Sequence, residues 1–324
     1  MTYAILATFT CTAGRLAMFG KNEIIGQKYF NDAGDRLFVT SIFTTLQGEG
    51  PYRGEPAVFV RLAKCNLACT FCDTYFDGGD WLSPEQLATK IDNAVSEYFE
   101  GNVPEWAQTN RSQWEFEAST CSIVDKVTRE IVKPKRRKMV LVVTGGEPML
   151  QKNLVPFLHC MNQEFENTQI ESNGTVWQDI PDSTTLVCSP KCSEKNGKPV
   201  KYLKPNKDVM DRADCLKFVM SADPDSPYSS IPDWAHEYAA SGKKVFISPM
   251  NVYNREPQKS KQLRSTKNDI SIEERSNVDE VVSFWEEGLL NMPENQKNHE
   301  YAARYCMKHG FTLNLQIHLY ASLA

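Results

Sequence analysis

The chain has 324 residues, with 36 lysines and arginines against 41 aspartates and glutamates, a formal charge of −5 and a pI near 5.7. That length can bury a full core in one large α/β domain or in two domains, and the acidic balance argues against a general nucleic-acid binder, which carries a basic excess. No run approaches the ~20 apolar residues that span a bilayer. The apolar start at residues 1–11 lacks a basic n-region, so the ten cysteines read as reduced thiols and ligands of a soluble cytoplasmic protein.

Residues 1–37 are broken by Gly14, Gly20, Gly26 and Gly34 and read as an N-terminal extension, an extra hairpin or a loose arm, in which Cys11 packs. From Leu37 to Phe43 the pattern predicts a short strand. The turn that follows, Thr44 to Pro51, encloses Gln47-Gly48-Glu49-Gly50, where backbone can approach a ligand closely. Ala57 to Leu62 is a nearly continuous apolar run, as in a buried parallel strand. It ends with Arg61, a fixed cation suited to a carboxylate. Directly behind it lie Cys65, Cys69 and Cys72 at C-x3-C-x2-C. Three thiolates on one loop suit an iron–sulfur cubane with one iron left open for another ligand. They also suit zinc with a fourth ligand elsewhere, although zinc ribbons favour two C-x2-C pairs and the chain has no second pair.

Ser83-Pro84-Glu85-Gln86 is a helix start with a hydroxyl cap, an early proline and a capping-box Gln, and Leu87, Ile91, Ala94 and Tyr98 follow on one face. Residues 101–138 are polar and read as an insertion, in part a hairpin, and the basic run 133–138 reads as solvated charge at a strand entrance. Met139 to Val143 predicts a second buried strand, which delivers Thr144-Gly145-Gly146-Glu147-Pro148. Its tandem glycines expose backbone groups that a zwitterion can bond, and Glu147 suits an ammonium. A helix over 151–165 precedes a strand ending in Glu171-Ser172-Asn173-Gly174-Thr175. Further strands end in Ser189-Pro190-Lys191, run from Cys215 to Met220, and end in Ser248-Pro249-Met250-Asn251. Cys188 and Cys192 read as a buried thiol and a loop thiol. Residues 252–275 read as an inserted surface loop, with helices over 272–290 and 294–309, a C-cap at Gly310, and a last strand over 311–317. Strand and helix alternating in this way imply a parallel sheet with helices outside, and polar groups at the C-terminal strand ends imply an enzyme.

C-x3-C-x2-C followed one βα unit later by G-G-E-P resembles the radical S-adenosylmethionine (SAM) superfamily. The ordered set L-Q-G-E-G, F-V-R-L, C-N-L-x-C-x-x-C-D-T, T-G-G-E-P, E-S-N-G-T, S-P-K, L-K-F-V and L-Q-I-H, from about Ser41 to His318, is similar to the 7-carboxy-7-deazaguanine synthase family. The resemblance implies a partial or modified (β/α) barrel over 38–324. It implies a lyase that converts 6-carboxy-5,6,7,8-tetrahydropterin to 7-carboxy-7-deazaguanine with loss of ammonia, for queuosine and related deazapurines. The cofactors implied are a [4Fe–4S] cluster on Cys65, Cys69 and Cys72, SAM, and Mg2+ on the Thr74 hydroxyl. Leu46, Gln47, Gly48, Arg61, Thr144 and His318 correspond to pterin-binding positions. Gly146, Glu147, Ser189, Pro190, Lys191, Ser248, Pro249, Met250 and Asn251 correspond to SAM-binding positions. A flavodoxin-like electron donor and a homodimer are implied as well. Two departures stand out: Ser248 replaces the usual Gln of Q-P-M, and Leu319 replaces the Lys of L-Q-x-H-K. Two other readings compete. One is another radical SAM enzyme such as a glycyl-radical activase, and the other is a non-catalytic metal protein holding zinc.

Overall fold

The structure, a computed structural model, describes residues 15–17, 20–22, 32–67, 69–72, 74–117, 122–254 and 283–323. Two short N-terminal strands, β1 (Arg15–Ala17) and β2 (Gly20–Asn22), pair antiparallel. β3 (Leu37–Leu46) is longer than the strand predicted from Leu37 to Phe43, and it pairs antiparallel with β4 (Pro56–Leu62) and with β5 (Asp80–Leu82). α1 (Pro84–Tyr98) starts with the expected capping box. Gln86 N–H donates to Ser83 Oγ at 3.3 Å, and Gln86 Oε1 accepts from Ser83 N–H at 2.9 Å. Leu87, Ile91 and Val95 face the sheet at 0–2% exposure, each worth about 1.5–3 kcal/mol of burial. Ala94 only packs alongside, and Tyr98, expected on the same face, ends the helix at 48% exposure.

Within 101–138, β6 (Trp114–Glu117) and β7 (Ser122–Asp125) form the antiparallel hairpin. The basic run behind them is not simply solvated. Arg137 opens β8 (Arg137–Gly145) at 1% exposure, with its guanidinium on Asp92 and over the Phe165 ring at 5.3 Å. Burying that charge is tolerable only because an anion meets it. α2 (Leu154–Glu164) begins later than the predicted 151, because Gln151 is used elsewhere. Its buried side chain bonds Phe38 N–H and the Phe38 and Ala63 carbonyls, tying β3 and β4 to the β8 loop.

β9 (Phe165–Ser172) and β10 (Thr184–Cys188) follow. Next comes a hairpin absent from the sequence reading, β11 (Cys192–Lys195) and β12 (Lys198–Tyr202). Its turn, Asn196-Gly197, has φ of +53° and +72°, the type I′ geometry that this dipeptide favours. The remaining elements are α3 (Lys207–Arg212), β13 (Cys215–Met220), α4 (Asp233–Ala240), β14 (Lys244–Pro249), α5 (Met292–His309), β15 (Thr312–Leu313) and α6 (Ile317–Tyr320).

Three expectations change near the C-terminus. The last strand covers only Thr312–Leu313 of 311–317: Asn314 N–H still donates to Ile247 O of β14 at 2.8 Å, and the chain then turns into a short helix. Residues 283–290, predicted helical, carry turns and a bridge from Leu290 to Tyr253; the earlier part of that helix and residues 255–275 lie outside the described residues. Cys192 is a buried strand residue, not a loop thiol. Cys11 also lies outside the described residues.

The main sheet runs β15-β14-β13-β10-β9-β8-β4-β3-β5 and is parallel from β15 through β4. Helices on the outer face cover a continuous apolar core. Inner-face residues of β3, β4, β8, β9, β13 and β14 all border one cavity, so the sheet curls into an open barrel whose end strands, β5 and β15, do not pair. The expected partial (β/α) barrel is therefore present, with two antiparallel strands at its β4 edge.

Candidate active site

The cavity, about 240 Å³, sits at the C-terminal ends of the parallel strands. Cys65, Cys69 and Cys72, none of them in a disulfide among the described residues, lie on its wall in the loop after β4. That loop is braced from several sides. Ala63 N–H donates to Phe38 O, Lys64 N–H to Phe76 O, and Asn66 bonds Asn173 and Thr175. Lys64 adopts φ of +75°, a left-handed conformation that costs a lysine about 1–3 kcal/mol and that the surrounding bonds enforce. The end of β8 packs against the same segment backbone to backbone, with Gly146 N–H donating to Leu62 O and Glu147 N–H to Lys64 O, both at 2.8 Å. A Cβ on Gly146 would fall 1.9 Å from Lys64 O. The tandem glycines thus permit close packing of two loops, a reason that the bare motif does not reveal.

Among the described residues, no three Cys, His, Asp or Glu side chains close on a point as ligands of a single ion would. Three soft thiol donors on one short loop at the cavity wall are the donor type that an iron–sulfur cluster takes. Burial pushes the Cys65 thiol up to about 12, so loading the loop with iron must release its proton. Thr74 also lines the cavity. Its carbonyl accepts from the buried Asn22 Nδ2 at 2.8 Å, while Asn22 Oδ1 accepts from Phe76 N–H at 2.9 Å. Asp73, named only within the cysteine motif, lies outside the described residues.

Arg61 and Thr144 are register neighbours across β4 and β8, and both border the cavity. The Arg61 guanidinium stacks 4.6 Å from the Phe43 ring centroid, which fixes its direction. Gln47, Ser189, Lys191, Ser248, Pro249, Met250, Asn251, Gly146 and His318 line the same space. The Lys191 ammonium is held by Ser189 through its carbonyl at 2.8 Å and its hydroxyl at 2.6 Å. Asn251 donates to Gln316 Oε1 at 2.6 Å. Ser248, the departure from Q-P-M, donates to Glu49 and accepts from Asn314 Nδ2 at 2.8 Å.

Four of the expected residues stand behind the lining: Leu46, Gly48, Glu147 and Pro190. Gly48 is needed where it is, because a Cβ there would meet His318 Nδ1 at 2.1 Å. Glu147 is fully buried, accepting from Met149 N–H, Ser172 Oγ and Asn173 N–H, and so joins the β8 and β9 loops. Burial pushes its carboxyl up to about 7 despite those donors.

The sequence reading assigned no role to the cavity floor. There the buried Lys217 ammonium lies 2.7 Å from both Glu49 Oε2 and Glu171 Oε2, while Gln169 and Gln47 amides donate to Glu171. Burial alone would lower the Lys217 pKa, but the two carboxylates override it and raise it. All three residues sit inside quoted motifs, Q-G-E-G, E-S-N-G-T and L-K-F-V, which was the available signal. Two carboxylates and one cation make an acceptor-rich surface in the cavity that the Arg61 cation also borders. The site suits a ligand that carries both hydrogen-bond donors and a carboxylate.

No family model matches the chain. Among curated proteins, it is similar to the 7-carboxy-7-deazaguanine synthases of Rickettsia prowazekii (31% identical over 255 residues, 79% of this chain and 87% of the relative) and Rhodospirillum rubrum (30% over 240 residues, 72% and 79%). A third, from Methanospirillum hungatei, is 30% identical over 215 residues, 65% of this chain and 72% of the relative. Among solved structures, the chain is similar to QueE from Escherichia coli at 16% identity and a TM-score of 0.48, over 86% of this chain and 92% of that one.

Proposed function

The chain belongs to the 7-carboxy-7-deazaguanine synthase family, and we propose that it converts 6-carboxy-5,6,7,8-tetrahydropterin to 7-carboxy-7-deazaguanine with loss of ammonia. The observation that carries this is the joint placement, on one cavity, of three cysteines, the Arg61 cation and the Glu49–Lys217–Glu171 floor. Cys65, Cys69 and Cys72 would hold a [4Fe–4S] cluster, which together with SAM would supply the radical chemistry of the reaction. The protein's own groups bind and orient. Arg61 takes the pterin carboxylate, helped by Thr144 and Gln47 and by the Leu46–Gly48 backbone, while His318 closes the pocket over Gly48. Glu49 and Glu171 accept from the donor edge of the pyrimidine ring. Gly146, Ser189, Lys191 and the Ser248–Asn251 turn hold SAM, Pro190 shapes its loop, and Glu147 acts from behind by fixing the β8 and β9 loops. The Thr74 hydroxyl would offer a hard oxygen to Mg2+. As the family resemblance implies, the enzyme works in the cytoplasm as a homodimer. Residues 38–324 then form the catalytic domain, with 1–37, 101–138 and 252–275 added to it.

Among the described residues, no helix is long and apolar enough to cross a membrane. The test is anaerobic reconstitution with iron and sulfide, followed by SAM, a chemical reductant, Mg2+ and carboxytetrahydropterin, with products read by mass spectrometry. The deazaguanine acid is expected. An intact cluster that cleaves SAM without forming that product would overturn the assignment.

A further inference from the structure

We infer that the lysine-bearing hairpin β11–β12, beside the cysteine loop, is the docking surface for an acidic one-electron carrier protein, a role that rests on the function proposed above. Radical generation at the cysteine loop needs an electron from outside, and among the described residues no second group of metal ligands is present to relay one. The transfer is balanced simply. The reduced carrier loses one electron, the cluster core charge falls by one, and no bond is made or broken.

The charge is local and runs against the whole. Between 191 and 207 the sequence carries Lys191, Lys195, Lys198, Lys201, Lys204 and Lys207 against a single Glu194, in a chain of net charge −5. Lys195, Lys198, Lys201 and Lys204 are exposed. Among the described residues none of these four is in an ion pair, whereas Lys207 pairs with Asp211. The Glu194 carboxylate accepts from Thr70 N–H. Lys195 and Lys198 stand directly opposite each other across the ladder, an arrangement that like charge makes unfavourable unless an anionic surface relieves it. Val200, 53% exposed among these lysines, adds an apolar point of contact.

The hairpin is also physically continuous with the cysteine loop. Thr70, exposed between Cys69 and Cys72, is bonded to Glu194 of β11. Phe71 meets Tyr228 edge-on at 5.0 Å, and Tyr228 meets Tyr202 of β12 edge-on at 5.4 Å. The Tyr228 hydroxyl accepts from Cys192 N–H at 2.9 Å. A protein seated on these lysines therefore abuts the loop that holds the cluster. A nucleic acid fits the patch less well, since β11–β12 offers no exposed aromatic platform for stacking bases.

The experiment uses the reconstituted holoenzyme and a fully reduced flavodoxin as probe, with bleaching of the cluster absorbance followed by anaerobic stopped flow at low and high salt. In the triple variant Lys195→Glu/Lys198→Glu/Lys201→Glu the second-order rate constant should fall roughly tenfold or more and lose its salt dependence. The milder Lys195→Gln/Lys198→Gln/Lys201→Gln variant should fall between that and the parent. Bleaching by photoreduced deazariboflavin, a small uncharged reductant, should match the parent in both. Parental flavodoxin rates in the charge-reversed variant, or a salt-independent parent, would overturn the proposal. So would slow bleaching by both reductants in both variants, which would make the hairpin a structural support. Charge-dependent binding of tRNA with unchanged flavodoxin rates would also overturn it. Bleaching needs no pterin, so absence of the deazaguanine product counts against the function and not against the docking surface.

Discussion

Lys217 shows how one side chain organises this pocket. It lies in the barrel interior between two carboxylates, Glu49 from the turn after β3 and Glu171 from β9, and each ion is tolerable only because the others are there. Replacing it in Lys217→Met should cost about 3 kcal/mol, the lower end for a broken buried pair because both carboxylates keep some exposure, read as a shift in the urea midpoint. Glu147 is a second case. Its carboxyl, ordinarily near 4.5, is pushed up to about 7 by burial. Between those values the folded protein keeps a proton that the unfolded chain has lost, so this group's contribution to stability is greatest below pH 4.5 and declines as pH rises toward 7. For the cluster-free protein, Glu147→Gln should remove that slope when urea midpoints are compared across the window. It should also be less stable throughout, because its amide presents a donor to the Asn173 or Met149 N–H.

At the scale of elements, most strands were legible because buried parallel strands are short apolar runs between turns. α1 was legible to its cap, and Ser83→Ala should lower stability by about 1 kcal/mol by urea unfolding while leaving iron content and turnover unchanged. The hairpin β11–β12 was not read, although Asn196-Gly197 is a strong short-range signal, because its strands lack alternating apolar residues. The last strand was drawn too long. The run from Phe311 to Ile317 has strand propensity, but after Asn314 N–H donates to Ile247 O the chain turns into α6, so the strand ends at Leu313.

For the whole molecule, the question is how an open barrel closes. The Q-G-E-G turn and the segment after β15 meet without a β-ladder. Asn314 Oδ1 accepts from Gly50 N–H at 3.0 Å, and Arg53 Nη1 donates to Leu313 O at 2.7 Å. Asn314 is fully buried and also holds Ser248, so Asn314→Ala should leave Gly50 N–H without its acceptor. The expected result is a loss of about 1–3 kcal/mol and a raised KM for the pterin with a smaller change in kcat, measured by urea unfolding and steady-state kinetics. An unchanged KM would mean that the seam does not position the turn.

The sequence by itself determined the cysteine loop, the order of strands and helices, and about half of the cavity lining, since each is written in contiguous residues of fixed spacing. Only the tertiary structure decided that Glu49, Glu171 and Lys217 form one floor, that Glu147 braces from behind, and that Gly48 and Gly146 are tight contacts. Those facts depend on which strands become neighbours and in what register. A chain read one residue after another records the chemistry of each motif, while distances between motifs arise only when the sheet curls and brings its inner faces together.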